Sequence, residues 1–276
     1  MPRAPLVEVF RMPHAPSSLV EESNRLFQHT WTYFAKHLPG GGTTRLPGLL
    51  IANGRSALPF MNLALITAPL VDEADLAARI ADAAAPFRRH DLHWLFVVSD
   101  HFVPEHLRPR LADVCAAAGL QPMMRMHGMA TDALAPPAYP APTLTYRVVE
   151  TQDLRESVGD VNAVAYGMPA DICRAVTGVP EIWKDMLGVV GMLGSTPVAS
   201  ACVAAVDDTA YVALVATDPA HQRKGYAEAV MRRALAEARK EWGITRTVLH
   251  ATPAGQPVYR RMGYVDAVSF EAFTGS

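Results

Sequence analysis

The sequence has few cysteines, no long apolar run and almost no net charge, and each absence excludes a class of protein. The three cysteines lie far apart and form no Cys-x-x-Cys pair, which argues against a disulfide framework and a thiolate zinc site. No stretch reaches the roughly 18 apolar residues of a membrane-spanning helix, and the N-terminal segment lacks the apolar core of a secretion signal. With 25 basic and 27 acidic residues, the chain lacks the basic surface of a dedicated nucleic-acid-binding protein. We expect a cytoplasmic protein that binds neither membrane nor nucleic acid.

The composition is that of a folded protein, and the length allows one or two domains. Half of the residues are hydrophobic and 19% are charged, which is not the composition of a disordered chain. The length of 276 residues suggests one large or two ordinary domains. Four prolines between 131 and 143 are typical of a semi-rigid spacer. We therefore predict a first domain at 1–135, a linker at 136–143 and a second domain at 144–276.

Strand and helix patterns alternate in both halves of the chain. In the second half, an apolar strand pattern at 210–217 precedes a helical pattern that begins at Gly225 and continues to Trp242 at three- and four-residue spacing. Further helices are predicted at 105–118 and at 180–187. The first half repeats the same order more faintly, so an internal duplication is a hypothesis.

The clearest chemical signal lies between that strand and that helix, where residues 222–227 have the form Gln-x-x-Gly-x-Ala. Backbone N–H groups at a helix start have no intrahelical partner, and the helix dipole favours an anion there. Gly225 lets the backbone approach a phosphate without an intervening Cβ, and Arg223 and Lys224 add positive charge. The alternative is a turn glycine beside a solvated basic corner.

This segment resembles the acetyl-CoA signature (Gln/Arg)-x-x-Gly-x-(Gly/Ala) of the GCN5-related N-acetyltransferase (GNAT) superfamily. The preceding VATDPAHQRKG has the strand, turn and loop of that family, and ATPAGQPVYRRMGY resembles its short tyrosine-bearing helix. The resemblance covers about residue 144 to the end of the chain. It implies an α/β fold of two tandem GNAT-like domains, each with a central, mostly antiparallel mixed sheet flanked by helices.

The resemblance also implies roles for individual residues. The strand end would pair with the pantetheine amides, the loop would hold the pyrophosphate, and Thr252 stands where the family often has an asparagine. The residues implied to bind the cofactor are Val215, Ala216, Thr217, Gln222, Arg223, Lys224, Gly225, Tyr226, Ala227 and Thr252. Tyr259 matches the tyrosine that protonates the departing CoA thiolate, and a phenol with a pKa of about 10 keeps its proton at neutral pH. A packed core tyrosine is the alternative.

The base and the acceptor pocket are less clearly marked. The glutamate base frequent on the family's central strand is missing, because 211–215 contains no carboxylate. His250, which ends a strand expected to point toward the thioester, is the candidate base or water holder, and an ordinary strand-end histidine is the alternative. The candidates for substrate binding are Tyr166, Met168, Trp183 and Asp171. The first three could equally be core residues, and Asp171 is a candidate base or amine-steering carboxylate. The His and Asp pairs near 90–93 and 100–101 lack a third ligand, so we predict no metal site.

The first half carries no comparable loop. After 61–67 the chain reads APLVDEADLAAR, which has no glycine and places Asp72, Glu73 and Asp75 where a pyrophosphate needs positive charge. We predict that the first half is a degenerate copy that binds no cofactor. It would cap the active half, form a dimer contact, or complete the acceptor side of the active half.

These observations predict an acyltransferase that moves an acetyl group from acetyl-CoA to a primary amine of a small molecule or peptide. Direct attack by the amine needs little covalent help from the enzyme, so positioning and polarisation do much of the work. A non-catalytic acyl-CoA-binding or regulatory protein is the competing interpretation. Use of a longer acyl-CoA and formation of a homodimer stay open.

Overall fold

The computed structural model describes residues 18–276, which form two compact units. Residues 18–128, 251–254 and 266–276 make the first unit, and residues 129–250 with 255–265 make the second. The end of the chain therefore packs in the unit built mainly from the first half. The domain and linker boundaries drawn from composition stay a prediction, and the N-terminal segment without a signal-like run lies largely outside the described residues.

The described residues form seven α-helices and eleven strands. The helices are α1 (Leu19–His37), α2 (Glu73–Arg88), α3 (Leu111–Ala117), α4 (Gln152–Tyr166), α5 (Ala170–Thr177), α6 (Tyr226–Trp242) and α7 (Gln256–Arg261). The strands are β1 (Gly42–Leu46), β2 (Leu49–Asn53), β3 (Asn62–Ile66), β4 (Trp94–Ser99), β5 (Gln121–Thr131), β6 (Thr145–Val148), β7 (Met186–Leu193), β8 (Thr196–Val206), β9 (Thr209–Thr217), β10 (Thr247–Ala251) and β11 (Val265–Gly275).

The sheet of the first unit runs in the order β1-β2-β3-β4-β11. Strands β3 and β4 are parallel with α2 between them in the chain, and the other pairs are antiparallel. Alternate residues of β2, β3 and β4 face α2 and α3, where Phe87 stacks on Trp94 with ring centroids 5.0 Å apart. This apolar layer is the core of the unit.

The sheet of the second unit runs in the order β10-β9-β8-β7-β6, with residues 129–131 of β5 beside β10. Strands β9 and β10 are parallel with α6 between them, and the other pairs from β9 to β6 are antiparallel. Helix α6 buries one apolar face, as its period predicts, and ends at Gly243 in the left-handed conformation (φ 72°). The predicted fold class, a mixed and mostly antiparallel sheet flanked by helices, is confirmed in both units.

Helices α4 and α6 cover opposite faces of this sheet. Ser200 of β8 faces α4, where Asn162 contacts it. A Cβ at Gly191, which pairs with the adjacent Ala199, would meet Val230 of α6. Because successive strand residues point to opposite faces, this places one helix on each side.

Two predicted helices differ from the observed ones. The helix predicted at 105–118 begins only at Leu111, since Pro109 lies in a preceding 3₁₀ turn, Arg108–Arg110. The region predicted as a helix at 180–187 instead holds a 3₁₀ turn, Pro180–Trp183, and the start of β7 at Met186, while helix α5 lies just before it.

Candidate functional site

The parallel strands β9 and β10 separate part-way along their length. Their pairing runs from Ala210 opposite Thr247 to Val212 opposite Leu249. Strand β9 nevertheless continues to Thr217 while remaining paired with β8 on its other side. In the pairing that the structure describes, the β10-facing edge of β9 beyond Val212 is therefore open, and its backbone groups can bond to an extended ligand.

A β-bulge lies at the start of this open edge. Leu214 and Val215 of β9 stand opposite the single residue Ala201 of β8. Leu214 has a φ of 51°, a left-handed conformation that bulky side chains rarely adopt. Two hydroxyls hold the bulge: Ser200 Oγ donates to the Leu214 carbonyl at 3.1 Å, and Tyr166 Oη donates to the Val215 carbonyl at 2.9 Å.

The loop after β9 leads into a helix start that no side chain caps. Gly225, at a φ of 79°, is the N-cap of α6, and the N–H of Ala229 is the one that bonds back to the Gly225 carbonyl, at 3.0 Å. The N–H groups of Tyr226, Ala227 and Glu228 are therefore left without an intrahelical acceptor. A Cβ at Gly225 would meet nothing within 4 Å, so the space over this turn is open.

The charge around this turn favours an anion. Gln222, Arg223 and Lys224 are exposed, and Arg223 adopts a φ of 60°. The acidic side chain in the first helical turn, Glu228, is paired with Arg232 at 2.8 Å. The two basic side chains and the helix dipole therefore act together on the open turn.

The end of β9 carries one polar group that lacks a protein partner. The Thr217 hydroxyl oxygen is buried and has no hydrogen-bond partner within residues 18–276. The neighbouring Ala216 is buried and pairs with β8, and the Gln222 amide donates to the Thr217 carbonyl at 3.4 Å. Thr252, half-buried after β10, falls among the residues of the first unit.

Tyr259 lies half-buried in α7, in a small cluster of phenols. Burial raises its pKa, and the nearby phenol of Tyr166 adds to the rise. Its ring meets that of Tyr264 edge-on, with centroids 6.0 Å apart. Because Tyr166 also bonds to the bulge carbonyl, Tyr259 lies in the same region as the open edge of β9. A raised pKa keeps the hydroxyl protonated at neutral pH, as a proton donor requires.

His250 follows Leu249, the last residue of β10 that pairs with β9. Its Nδ1 lies 2.8 Å from Tyr211 Oη, and the two rings stack with centroids 5.6 Å apart. Burial lowers the pKa of His250 to about 3, so the imidazole is neutral at neutral pH and has little affinity for an ammonium proton. The sequence alone does not identify Tyr211 as the partner of His250. In the sheet, Tyr211 pairs with Val248, whose side chain lies on the same face of β10 as that of His250, so the two rings meet on that face.

The comparisons with known proteins agree with this geometry. Residues 170–264 match the sequence model of the Acetyltransferase (GNAT) family. This part of the chain is a GNAT domain. It contains the splayed strands, the bulge, the uncapped helix start and Tyr259. No curated protein sequence matches the chain.

Solved structures extend the likeness of fold beyond the GNAT domain. A GCN5-related N-acetyltransferase from Kribbella flavida is 21% identical, with 92% of this chain and 96% of that chain covered and a TM-score of 0.66. A functionally unknown conserved protein from Staphylococcus epidermidis is 13% identical over 84% of this chain and 92% of that one (TM-score 0.61). A GCN5-related N-acetyltransferase from Sphaerobacter thermophilus is 13% identical over 83% and 76% (TM-score 0.56).

The predicted acceptor residues of the GNAT domain are not equally accessible. Tyr166 is 48% exposed at the end of α4, Met168 is half-buried in the following turn, and Asp171 is exposed in the first turn of α5. Trp183 is buried, and its indole N–H donates to the Thr177 carbonyl at 2.7 Å. The structure thus places Trp183 in the packing of the domain, and a role in substrate binding stays a prediction for all four predicted residues.

In the first unit, the N-terminus of α2 is capped by a side chain of the chain itself. Between β3 and α2, the Asp72 carboxylate caps the helix by accepting from the N–H of Asp75 at 2.8 Å. Arg79 then holds Asp75 at 2.8 Å and donates to the carbonyls of Gly48 and Ala68. A carboxylate therefore occupies the helix N-terminus that a phosphate would need.

Two further features of the described residues bear on function. Within 18–276 there is no group of three or more His, Cys, Asp or Glu side chains that could hold a metal ion. Over the same residues no helix is long and apolar enough to cross a membrane.

Proposed function

We propose that this protein is an acyltransferase that moves the acetyl group of acetyl-CoA to a primary amine by direct attack. The observation that carries the proposal is the junction of β9 with α6. There, an open strand edge leads directly to an uncapped helix start over an unobstructed glycine. This combination suits a ligand with an extended amide-bearing arm attached to a pyrophosphate, which is the chemistry of CoA.

The residues present fit that donor. The N–H groups of Tyr226 and Ala227, with the side chains of Arg223 and Lys224, would bind the pyrophosphate. The backbone groups of the open edge, from Val215 to Thr217, would bond to the amides of the pantetheine arm. The unpartnered Thr217 hydroxyl is a polar group that such an arm would satisfy.

The chemistry proposed for the site is aminolysis of a thioester. The lone pair of a neutral amine forms the new C–N bond, the C–S bond breaks, and the sulfur takes the bonding electrons. Tyr259 then protonates this thiolate, since burial keeps its hydroxyl protonated until charge develops nearby. The proton that the nitrogen loses as the amide forms passes through water and restores the Tyr259 phenol. Positioning and polarisation of the carbonyl supply the rest of the rate.

His250 enters this scheme as a hydrogen-bonding group. With a pKa near 3 it is too weak a base to deprotonate an ammonium ion, but its neutral ring can orient an amine or a water molecule. The amine therefore reaches the site already neutral, or loses its proton through water. Asp171, exposed in the first turn of α5, would steer a cationic acceptor.

The low basicity of His250 also favours the second candidate, a non-catalytic protein that binds acyl-CoA. A panel of amines, amino acids and peptides, with acetyl-CoA and longer acyl-CoAs, separates the candidates when free thiol is detected. Thiol release that depends on an amine supports the enzyme. Calorimetric binding of acetyl-CoA without release for any acceptor supports the binding protein. Absence of CoA binding contradicts both.

A further inference from the structure

A buried chain of hydrogen bonds, the line from Asn162, runs from α4 to the bulge of β9. Asn162 of α4 is 4% exposed and Ser200 of β8 is fully buried. The Asn162 amide donates to Ser200 Oγ at 3.1 Å, and that hydroxyl donates to the Leu214 carbonyl at 3.1 Å. The same amide nitrogen donates to the Val158 carbonyl at 2.8 Å, so both hydrogens of the amide are used. Each group in this line therefore donates to the next one, from α4 toward the bulge.

The bulge needs such support, because Leu214 is strained. A left-handed backbone at a bulky residue is unfavourable, and it persists only where the surroundings determine it. Hydrogen bonds in a site closed to water are strong, and they become costly when one partner is lost. The line from Asn162 holds the Leu214 carbonyl from the α4 side of the sheet.

The bulge also decides what the open edge presents. One extra residue in β9 shifts every following backbone group by one position relative to β8. Without the bulge, the backbone groups of β9 that face the gap after Leu214 would be exchanged for those of the neighbouring residues. The position of the donor arm thus depends on the bulge. Asn162 and Ser200, which support the bulge from the α4 side, are themselves closed off from any ligand.

We propose that Asn162 and Ser200 are positioning residues for the acyl donor, acting through the Leu214 carbonyl to set the backbone of β9 beyond the bulge. The proposal rests on the proposed function and adds to it the residues that set the donor's geometry. It predicts that the pantetheine-binding edge can be disturbed without disturbing the pyrophosphate loop. Residues of the binding loop need not be changed to test it.

The test uses the full chain with Ser200→Ala, which removes the donor, and Ser200→Thr, which keeps the hydroxyl. Cys202→Ala is the matched control, since Cys202 is fully buried two residues along the same strand, whereas the side-chain donors to the bulge carbonyls are Ser200 and Tyr166. The probes are acetyl-CoA and ADP, which has a pyrophosphate but no pantetheine arm. Calorimetry measures their affinities, and hydrogen exchange measures the protection of residues 209–217.

Ser200→Ala should weaken acetyl-CoA binding about tenfold or more, the loss expected from one buried hydrogen bond to a strained backbone. Its ADP affinity should stay within about twofold, Ser200→Thr should recover acetyl-CoA binding, and only Ser200→Ala should exchange faster at 209–217. Parental acetyl-CoA affinity in a folded Ser200→Ala, an equal loss in Cys202→Ala, or unchanged exchange at the bulge would overturn the proposal. If the parental protein does not bind acetyl-CoA, both the proposed function and the positioning role of Asn162 and Ser200 are wrong. If the parental protein binds it and Ser200→Ala binds it equally well, only the positioning role is wrong.

Discussion

Acidification from pH 7 to pH 5 should destabilise the folded protein through His250. The unfolded chain has a histidine pKa of about 6.5, whereas burial lowers the pKa of His250 in the fold to about 3. Between these values the unfolded state binds a proton that the folded state does not bind, so stability is present above pH 6.5 and is lost as the pH falls. Each pH unit contributes about 1.4 kcal/mol, which gives about 2 kcal/mol at pH 5. This is an upper value, because part of the side chain remains accessible.

Urea unfolding of the parental protein and of His250→Gln at pH 7 and pH 5 isolates this effect. All other groups titrate in both proteins, so the difference between their pH-dependent losses belongs to His250. The parental protein should lose up to about 2 kcal/mol more than His250→Gln, and the exposed His101→Gln should follow the parental protein. Equal losses in parental protein and His250→Gln would mean that His250 titrates normally in the fold. The reasoning would then be refuted, and His250 would return as a candidate base.

Three further predictions test the site. Gly225→Glu should reduce CoA affinity, measured by calorimetry, by roughly 100-fold or more, because it places a carboxylate over the proposed phosphate-binding turn. The control Gly194→Glu, at a similar φ of 60° and with equally open space around it, should keep the parental CoA affinity. Tyr259→Phe should lower kcat by roughly 10²–10⁴ with CoA affinity kept, whereas Tyr264→Phe should mainly lower the Tm; a parental rate in Tyr259→Phe would reduce this residue to a packing role. Titration of the full chain should find one CoA per chain, since Asp72 fills the corresponding helix start of the first unit; two equivalent sites would contradict the degenerate copy.

The strand, loop and helix of the candidate site could be read from the sequence because their signals are local. A helix from Tyr226 to Trp242 shows in its own period, and Gly225 and Gly243 mark its ends. Strand β1 has no clear signal in the sequence, since it begins at Gly42, the last of three consecutive glycines, and such a run is typical of a loop. Helix α5 was missed because glycines and prolines on either side of eight residues obscure its period.

The partners within the site could not be read in the same way. His250 and Tyr211 are 39 residues apart, and they meet because β9 and β10 pair in one particular parallel register. A shift of that register by one residue would turn one of the two rings to the other face. The burial of Trp183 could not be read from the sequence either, because its indole N–H donates to the Thr177 carbonyl only once α5 and the following turn are folded.

The sequence by itself determined the strand, loop and helix at 210–242, because period, glycine placement and residue spacing act over a few turns of chain. Its resemblance to the GNAT superfamily implied the class of fold and the proposed roles of the loop and of Tyr259. Only the tertiary structure decided three things: that His250 is neutral, that the bulge at Leu214 is held from α4, and that the last strand, β11, pairs with β4 in the unit built mainly from the first half. The burial of His250, the register of β9 and the pairing of β11 with β4 all depend on residues far apart in the chain. Their energies arise only when the sheet brings those residues together.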